Sequence, residues 1–231
     1  MEIFIDSANL REIARWLDYG IIDGVTTNPS IMFKDGVYDL KNGAQEIAKL
    51  IYPRPLSVEV ISDDLIEMTE QAHEFASWAD NIVVKIPQIN SRGEPCYGII
   101  SCLESKRIKV NATAALSIGQ VMLAAKSKAT YISIFAGRVA DEGGDSTAVI
   151  GNSVKWLSQW QYCSRIIVGS IRSVGDVIAA AMAGAHIVTV PPQFISKMAD
   201  HQYTRATVAQ FEADARQAMV RMQQAHVGIV K

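Results

Sequence analysis

The stretch Ile3-Phe4-Ile5-Asp6-Ser7-Ala8-Asn9 decides between two architectures. Three apolar residues make a short buried strand, and the residue that ends it is an acid. An open doubly wound sheet normally follows its first strand with a glycine-rich phosphate turn. Here Asp6-Ser7-Ala8-Asn9 stands in that place, and neither G-x-G-x-x-G nor G-x-x-x-x-G-K-[ST] occurs anywhere in the chain. Nucleotide-cofactor chemistry therefore loses its main support, and no cofactor is assigned.

Working outward, apolar and β-branched runs of the same kind recur at 3–5, 25–26, 56–60, 82–86, 108–110, 131–135, 166–168 and 187–190, which makes eight strands. Helical spacing separates them, as in Leu40, Ala44, Ile47, Ala48, Ile51 and in Ile66, Met68, Ala72, Phe75, Ala76. Dividing 231 residues by eight gives about 29 per unit, the size of one βα repeat. Most of the runs are apolar on both faces, as a buried parallel sheet requires. No linker or composition shift divides the chain, so the expectation is one α/β domain over 1–231, a (β/α)8 TIM barrel with an additional C-terminal helix at 203–226.

Charge excludes other partners. The 22 Lys and Arg against 24 Asp and Glu leave a net −2, too little positive field to hold nucleic acid nonspecifically. Asp6, Arg11, Glu12 and Arg15 interrupt what would be the apolar core of a secretory signal, and nowhere do 18 apolar residues run together. No membrane association and a cytoplasmic location are the expectation. Cys96, Cys102 and Cys163 form an odd, irregular set that reads as reduced, packed thiols. His73, His186, His201 and His226 are scattered without metal-site spacing, and Asp141-Glu142-Gly143-Gly144-Asp145 reads as a turn with Asp145 capping a helix, so no metal is assigned.

In a barrel the chemistry belongs at the C-terminal ends of the strands. The residues found there are Asp6; Thr26, Thr27 and Asn28; Glu59; Lys85; Asn111 with Thr113; Arg138; and Ser170 with Arg172. Lys85 sits inside Asn81-Ile82-Val83-Val84-Lys85-Ile86-Pro87, a run that should be buried. Burial disfavours an ammonium and exposes an amine able to attack a carbonyl; the other reading is a lysine that snorkels out of a strand end. Asp6 and Glu59 are the carboxylates available for proton transfer, although Asp6 could equally cap the helix beginning near Asn9. Glu59 faces the barrel interior if Val58 and Val60 face the helices. Ser170-Ile171-Arg172-Ser173 opens a helix at 174–183, where free amides, hydroxyls and a guanidinium suit a phosphate monoester, with Arg138 as a second clamp. The same serines could serve as plain helix caps and the arginines as solvated surface groups.

These residues, in this order, resemble the small transaldolase family, whose close relatives include the fructose-6-phosphate aldolases. The resemblance covers nearly the whole chain. It is carried by Phe4-Ile5-Asp6-Ser7-Ala8, Gly24-Val25-Thr26-Thr27-Asn28-Pro29-Ser30, Val83-Val84-Lys85-Ile86-Pro87, Val110-Asn111-Ala112-Thr113, Ile134-Phe135-Ala136-Gly137-Arg138 and Gly169-Ser170-Ile171-Arg172. It implies a Schiff base on Lys85, proton handling by Asp6 and, through a water, by Glu59, and water positioning by Thr113. It implies donor binding by Thr26, Asn28, Ser30 and Asn111, with Phe135 lining the pocket, and a phosphate clamp of Arg138, Ser170 and Arg172.

Glu59 and Phe135 look like the transaldolases; the aldolase members carry glutamine and tyrosine there. A carboxylate can shuttle a proton where an amide cannot, and Phe removes a hydroxyl that could help release bound dihydroxyacetone. The implied activity is therefore transfer of dihydroxyacetone from a ketose phosphate, fructose 6-phosphate or sedoheptulose 7-phosphate, to an aldose phosphate, as in the pentose phosphate pathway. The alternatives are an aldolase releasing dihydroxyacetone, a transaldolase for a non-standard sugar, and a catalytically silent sugar-phosphate binding protein. Departures at Ala114, Ala115, Leu116 and Ile134, and a longer 88–95 loop, lie near the mouth of the site and bear on which sugar fits. The resemblance also implies a homo-oligomer, a pentamer or decamer, with Val208, Phe211, Ala215, Met219 and Met222 of the last helix reaching a neighbouring subunit; packing onto its own barrel satisfies the same periodicity.

Overall fold

Eight parallel strands close into a barrel in sequence order in the computed structural model, which describes residues 1–229 and side chains through residue 225. They are β1 (Glu2–Asp6), β2 (Gly24–Thr26), β3 (Leu56–Glu59), β4 (Ile82–Pro87), β5 (Val110–Ala115), β6 (Tyr131–Phe135), β7 (Arg165–Gly169) and β8 (Ile187–Val190), with β8 pairing back onto β1. The helices are α1 (Leu10–Asp18), α2 (Pro29–Lys34), α3 (Leu40–Ile51), α4 (Leu65–Ala76), α5 (Tyr97–Ser105), α6 (Ile118–Lys126), α7 (Ala136–Asp141), α8 (Ser146–Gln159), α9 (Val174–Met182), α10 (Pro192–Ala199) and α11 (Gln202–Ile229). The chain forms two compact units, Met1–Pro192 and Gln193–Lys231. The first is the TIM barrel; the second contains the C-terminal helix α11, exposed at every residue from 202 to 225.

Two-residue periodicity separates two environments on each strand. One face is apolar and sealed: Ile5, Val25, Val58, Val84, Ile86, Ala112, Ile132, Ile134, Ile166, Val168, Val188 and Val190 are all fully buried. Each valine and isoleucine among them contributes roughly 1.5–3 kcal/mol, which offsets the polar groups gathered on the other face. The other face points into the barrel, where Phe4, Val83, Tyr131, Ile167 and Ile187 meet in one buried cluster. The Phe4 ring takes the room a side chain at position 24 would need: a Cβ on Gly24 would lie 2.7 to 2.9 Å from three of its atoms. Moving two residues along these strands brings the same face to Asp6, Lys85, Ser133, Gly169 and Thr189. The apolar cluster is thus the floor on which a polar layer stands.

Helix starts are encoded by short polar side chains placed just beyond the strands. Asn9 caps α1, Asn28 caps α2 with Pro29 at the first helical position, Asp64 caps α4, and Ser117 caps α6. Asp145 caps α8 as expected, and Ser173 forms a reciprocal capping box with Asp176 at α9. Asp6 does not cap α1; Asn9 accepts from the Arg11 and Glu12 amides in that role. The stripe that α4 buries is Met68, Ala72 and Phe75, and Ile66 points to solvent at 72% exposure because it lies on the opposite side of the first turn.

The fifth strand is displaced from its expected place. Residues 108–110 read as a strand because Ile108 and Val110 are β-branched, but the Ile108 amide bonds back to the Leu103 carbonyl and so belongs to the exit from α5. The strand itself runs from Val110 to Ala115, mostly through Asn111 and three alanines with little intrinsic β preference, and is held by pairing on both sides with β4 and β6. A register shift between Ala112 and Ala115, with Ala114 at φ +59°, interrupts the pairing with β6 before Ala115 rejoins it opposite Ile134. Asn111 and Thr113 therefore lie inside the strand, two residues apart on one face.

Candidate active site

Register brings the chemistry-bearing residues side by side. Glu59 of β3 pairs with Lys85 of β4, and Lys85 with Asn111 of β5. Asp6 of β1 pairs with Thr26 of β2. Parallel strands keep register partners on one face, so these five side chains enter the barrel together. All but Glu59 border a cavity of about 210 Å³ at the C-terminal ends of the strands, lined by Asp6, Thr26, Asn28, Lys85, Asn111 and Thr113 on one side. Ser133, Phe135, Arg138, Gly169, Ser170 and Thr189 line the other.

Lys85 is only 6% exposed and does not snorkel. Its Nζ lies 2.8 Å from Glu59 Oε2 and donates to the Thr27 carbonyl at 2.9 Å. The amine is thus held in an ion pair, not left bare as burial alone implied. Glu59 joins the site through this contact, and Val58 and Val60 are buried on the opposite face, as the alternation required. Burial pushes the Asp6 carboxyl above the ordinary carboxylate range; the Thr26 hydroxyl and the Lys85 charge oppose that rise, while Glu59 and Asp35 add to it. Thr26 Oγ1 donates to Asp6 Oδ1 at 2.7 Å.

The remaining polar residues form a second network. Ser133 Oγ donates to Asn111 Oδ1 at 2.7 Å, which fixes the amide so that Nδ2 points to Ser57 Oγ at 3.3 Å. Thr113 Oγ1 is buried with no partner among the described residues, a hydroxyl left free to hold a water or a ligand atom. Asn28 lines the cavity while its Oδ1 accepts from the Ile31 amide at 2.8 Å, so one residue both starts α2 and borders the site.

The anion end differs from expectation in one residue. Arg138 and Ser170 line the cavity. Arg172 does not: its guanidinium grips both oxygens of Asp141 and borders a neighbouring cavity of about 210 Å³ beside α7, α8 and α9. The carboxylate holds it by a two-pronged charge-assisted contact, the geometry a phosphate would use. Gly137 makes this crowding possible, since a Cβ there would lie 2.4 Å from the Ser170 carbonyl and 2.8 Å from both Arg172 Nε and Ser170 Oγ. Ser170 itself sits at φ +59°, a strained conformation for a residue with a side chain. Ser30, in the first turn of α2, is exposed and outside the cavity.

Three lining residues were not among the candidates: Ser133, Gly169 and Thr189. The signal that finds them is parity, because each stands two residues beyond a floor residue of its strand, namely Tyr131, Ile167 and Ile187. Of the cysteines only Cys96 is packed, with its thiol pushed up to about 11 by burial. Cys102 and Cys163 are free and exposed, a correction to the packed reading of all three that follows from their places on helix and loop surfaces. Among the described residues no three His, Cys, Asp or Glu side chains converge as metal ligands, and no helix is long and apolar enough to cross a membrane. His226 lies outside the residues whose side chains are described.

Solved structures of similar fold include a mandelate oxidase variant with an FMN adduct, at a TM-score of 0.57 and 16% identity over 83% of this chain. This chain spans 64% of that one, and the likeness is one of fold alone. Sequence relatives are much nearer. A probable transaldolase of Dehalococcoides mccartyi is 37% identical over 93% of this chain and 97% of its own length. Probable transaldolases of Clostridium botulinum and Listeria monocytogenes are each 38% identical, over 94% and 93% of this chain and 98% and 95% of theirs. The model of the family described as transaldolase/fructose-6-phosphate aldolase matches residues 3–229. With that span and those relatives, the chain belongs to the transaldolase/fructose-6-phosphate aldolase family.

Proposed function

We propose that the protein is a cofactor-independent class I transaldolase that moves a dihydroxyacetone unit from a ketose phosphate to an aldose phosphate. One observation carries this reading: a buried lysine amine at the bottom of a polar cavity, 2.8 Å from a carboxylate that can take its proton. Lys85 Nζ gives a proton to Glu59 and attacks C2 of the ketose. The resulting carbinolamine loses its hydroxyl as water, with the proton supplied from Glu59 through a water held at Thr113, and leaves an iminium. Asp6 takes the C4 hydroxyl proton as the C3 to C4 bond breaks, and the bond electrons pass to C3 and are held by the iminium as an enamine. The aldose phosphate leaves. C3 of the enamine then adds to the acceptor aldehyde, Asp6 returns its proton to the new hydroxyl, and water hydrolyses the iminium to free Lys85.

The cavity supports a division of labour along the substrate. Thr26, Asn28 and Asn111 serve the donor hydroxyls, while Ser30, outside the cavity, takes no part; Phe135 supplies an apolar wall, and Arg138 and Ser170 take the phosphate, with Arg172 joining when it releases Asp141. Fructose 6-phosphate or sedoheptulose 7-phosphate is the donor, and the reaction is of pentose phosphate pathway type. We assign the enzyme to the cytoplasm as a homo-oligomer, pentamer or decamer, with residues 203–226 on a neighbouring subunit.

Incubation with fructose 6-phosphate, borohydride reduction and peptide mapping tests the mechanism. The expected product is a reduced three-carbon adduct on Lys85, absent in Lys85→Met. Full turnover by Lys85→Met would end the Schiff-base scheme. A second reading, release of free dihydroxyacetone, is disfavoured by the missing hydroxyl at Phe135; dihydroxyacetone appearing without acceptor as fast as transfer proceeds would select it. Binding of the sugar phosphate with no adduct would point to a silent binding protein, and an adduct formed only by other ketoses would point to a non-standard sugar.

A further inference from the structure

Thr189 has no part in the scheme above, yet it is buried in the cavity wall, only 6% exposed, at an inward position of β8 in register with Phe4. Its hydroxyl is hydrogen-bonded to Thr26 Oγ1, and the same Thr26 oxygen lies 2.7 Å from Asp6 Oδ1. With Asp6 ionised, the state in which it acts as a base, proton accounting fixes the direction of this chain. An ionised carboxylate only accepts, and a hydroxyl has a single proton. Thr26 therefore spends its proton on Asp6, and the Thr26–Thr189 contact must be filled by the proton of Thr189. Among the described residues nothing else donates to Thr26 Oγ1.

Position 169 helps to set the geometry. A Cβ on Gly169 would lie 3.5 Å from Thr189 Cγ2, so the methyl of Thr189 rests against the bare face of that glycine. A β-branched side chain has few χ1 choices, and with its methyl there the hydroxyl is turned toward Thr26. At the far end of the chain Asp6 Oδ2 has no protein partner among the described residues, although Asp6 lines the cavity.

We propose that Thr189 is a positioning residue for Asp6. Its hydroxyl donates to Thr26, Thr26 donates to Asp6 Oδ1, and Oδ2 is thereby left as the oxygen that receives the substrate proton. The inference rests on the reading of Asp6 as the base that takes the C4 hydroxyl proton. No atom is consumed: the O–H bond of the substrate breaks, an O–H bond forms at Oδ2, and the two threonine protons stay where they are. The charged groups that face Asp6 are Lys85 from β4, Glu59 from β3 and Asp35 just beyond α2. Arg138 of α7 lines the same cavity.

The test uses the full-length protein with Thr189→Val, which keeps the shape and removes the hydroxyl, and Thr189→Ser, which restores the hydroxyl. The Asp6 carboxyl is titrated by carbon-13 NMR, assigned by its loss in Asp6→Asn. In Thr189→Val its midpoint is expected to rise, because the charged carboxylate loses part of its hydrogen-bond support, and in Thr189→Ser to return toward that of the parent. With fructose 6-phosphate, kcat for Thr189→Val should fall roughly tenfold with little change in KM, and the acid limb of its pH profile should move up with the carboxyl. The borohydride-trapped adduct with dihydroxyacetone needs no C4 proton transfer and should form as in the parent.

An unmoved Asp6 midpoint in Thr189→Val, a Thr189→Ser that behaves like the valine variant, or a midpoint that moves while the pH profile does not would each overturn the proposal. Failure of the transaldolase reading has a different signature: the parent protein itself gives no adduct on Lys85 with either compound. The carboxyl titration then still decides whether the hydroxyl chain controls Asp6.

Discussion

Asp6 is the residue at which function and stability pull against each other. Burial is the main cause of its raised titration, with the Thr26 hydroxyl and Lys85 only partly offsetting it. The folded protein therefore keeps the Asp6 proton to a higher pH than the unfolded chain does. Between the two midpoints the native state binds more protons, so stability falls as pH rises through that window. Below about pH 4 both states carry the proton and the contribution vanishes. Asp6→Asn keeps an acceptor for Thr26 and removes the charge. Its melting temperature is expected to exceed that of the parent by a few degrees at neutral and alkaline pH, with the gain closing toward pH 4, while retro-aldol cleavage is lost. Calorimetry across pH 4 to 8 reads this, and a variant less stable than the parent at every pH would show that the hydrogen bond outweighs the burial. Lys85 and Glu59 are coupled differently: their 2.8 Å contact leaves a deeply buried cation paired with a carboxylate that is one-third exposed. Solvent reaches the partner that must pass protons on and not the one that must attack.

At the scale of elements, the barrel positions its site by stacking layers, so a change in the floor is felt in the layer above. Gly24→Ala in β2 places a methyl 2.7 to 2.9 Å from the Phe4 ring, which is fully buried and cannot swing into solvent. Overpacking of this kind costs roughly 1–3 kcal/mol. Thermal unfolding should register that loss, and because Phe4 is two residues below Asp6 and Gly24 two below Thr26, cleavage activity should fall as well. Parent-like stability would mean that the floor can relax. The same layering explains what the sequence made legible. Seven of the eight strands were readable from β-branched runs, and Lys85, Glu59 and Asp6 stood out because charge inside or at the end of such runs is costly unless paired. β5 is hard to place because Asn111, Ala112, Ala114 and Ala115 have little strand character of their own and owe their conformation to β4 and β6. Ser133 and Thr189 carry no signal of their own because hydroxyls are ordinary within apolar strands; the two-residue step from Tyr131 and Ile187 is what marks them as inward. That Arg172 turns to Asp141 had no signal in the sequence, since the two residues are 31 positions apart and meet only through the closure of α7 against β7.

At the scale of the molecule, α11 is the one long element whose composition disagrees with its surroundings. Val208, Phe211, Met219 and Met222 recur at helical spacing and are 57%, 66%, 57% and 65% exposed in the single chain. Aligned apolar side chains of that size form a patch of the kind that marks an association surface, not the scattered apolar exposure usual in monomers. A homo-oligomer is the expectation, and closed symmetry lets one patch serve every subunit. Multi-angle light scattering of the purified protein should give a mass five or ten times 25.2 kDa. The patch itself is tested by Phe211→Glu with Met219→Glu, two charges placed on the exposed stripe of α11. The doubly substituted protein should sediment as a smaller species, down to the monomer, while unit Met1–Pro192 keeps its circular dichroism and the borohydride adduct on Lys85 still forms. A parent protein that is monomeric at micromolar concentration would remove the assembly, and an assembly unchanged by the two glutamates would move it to another face.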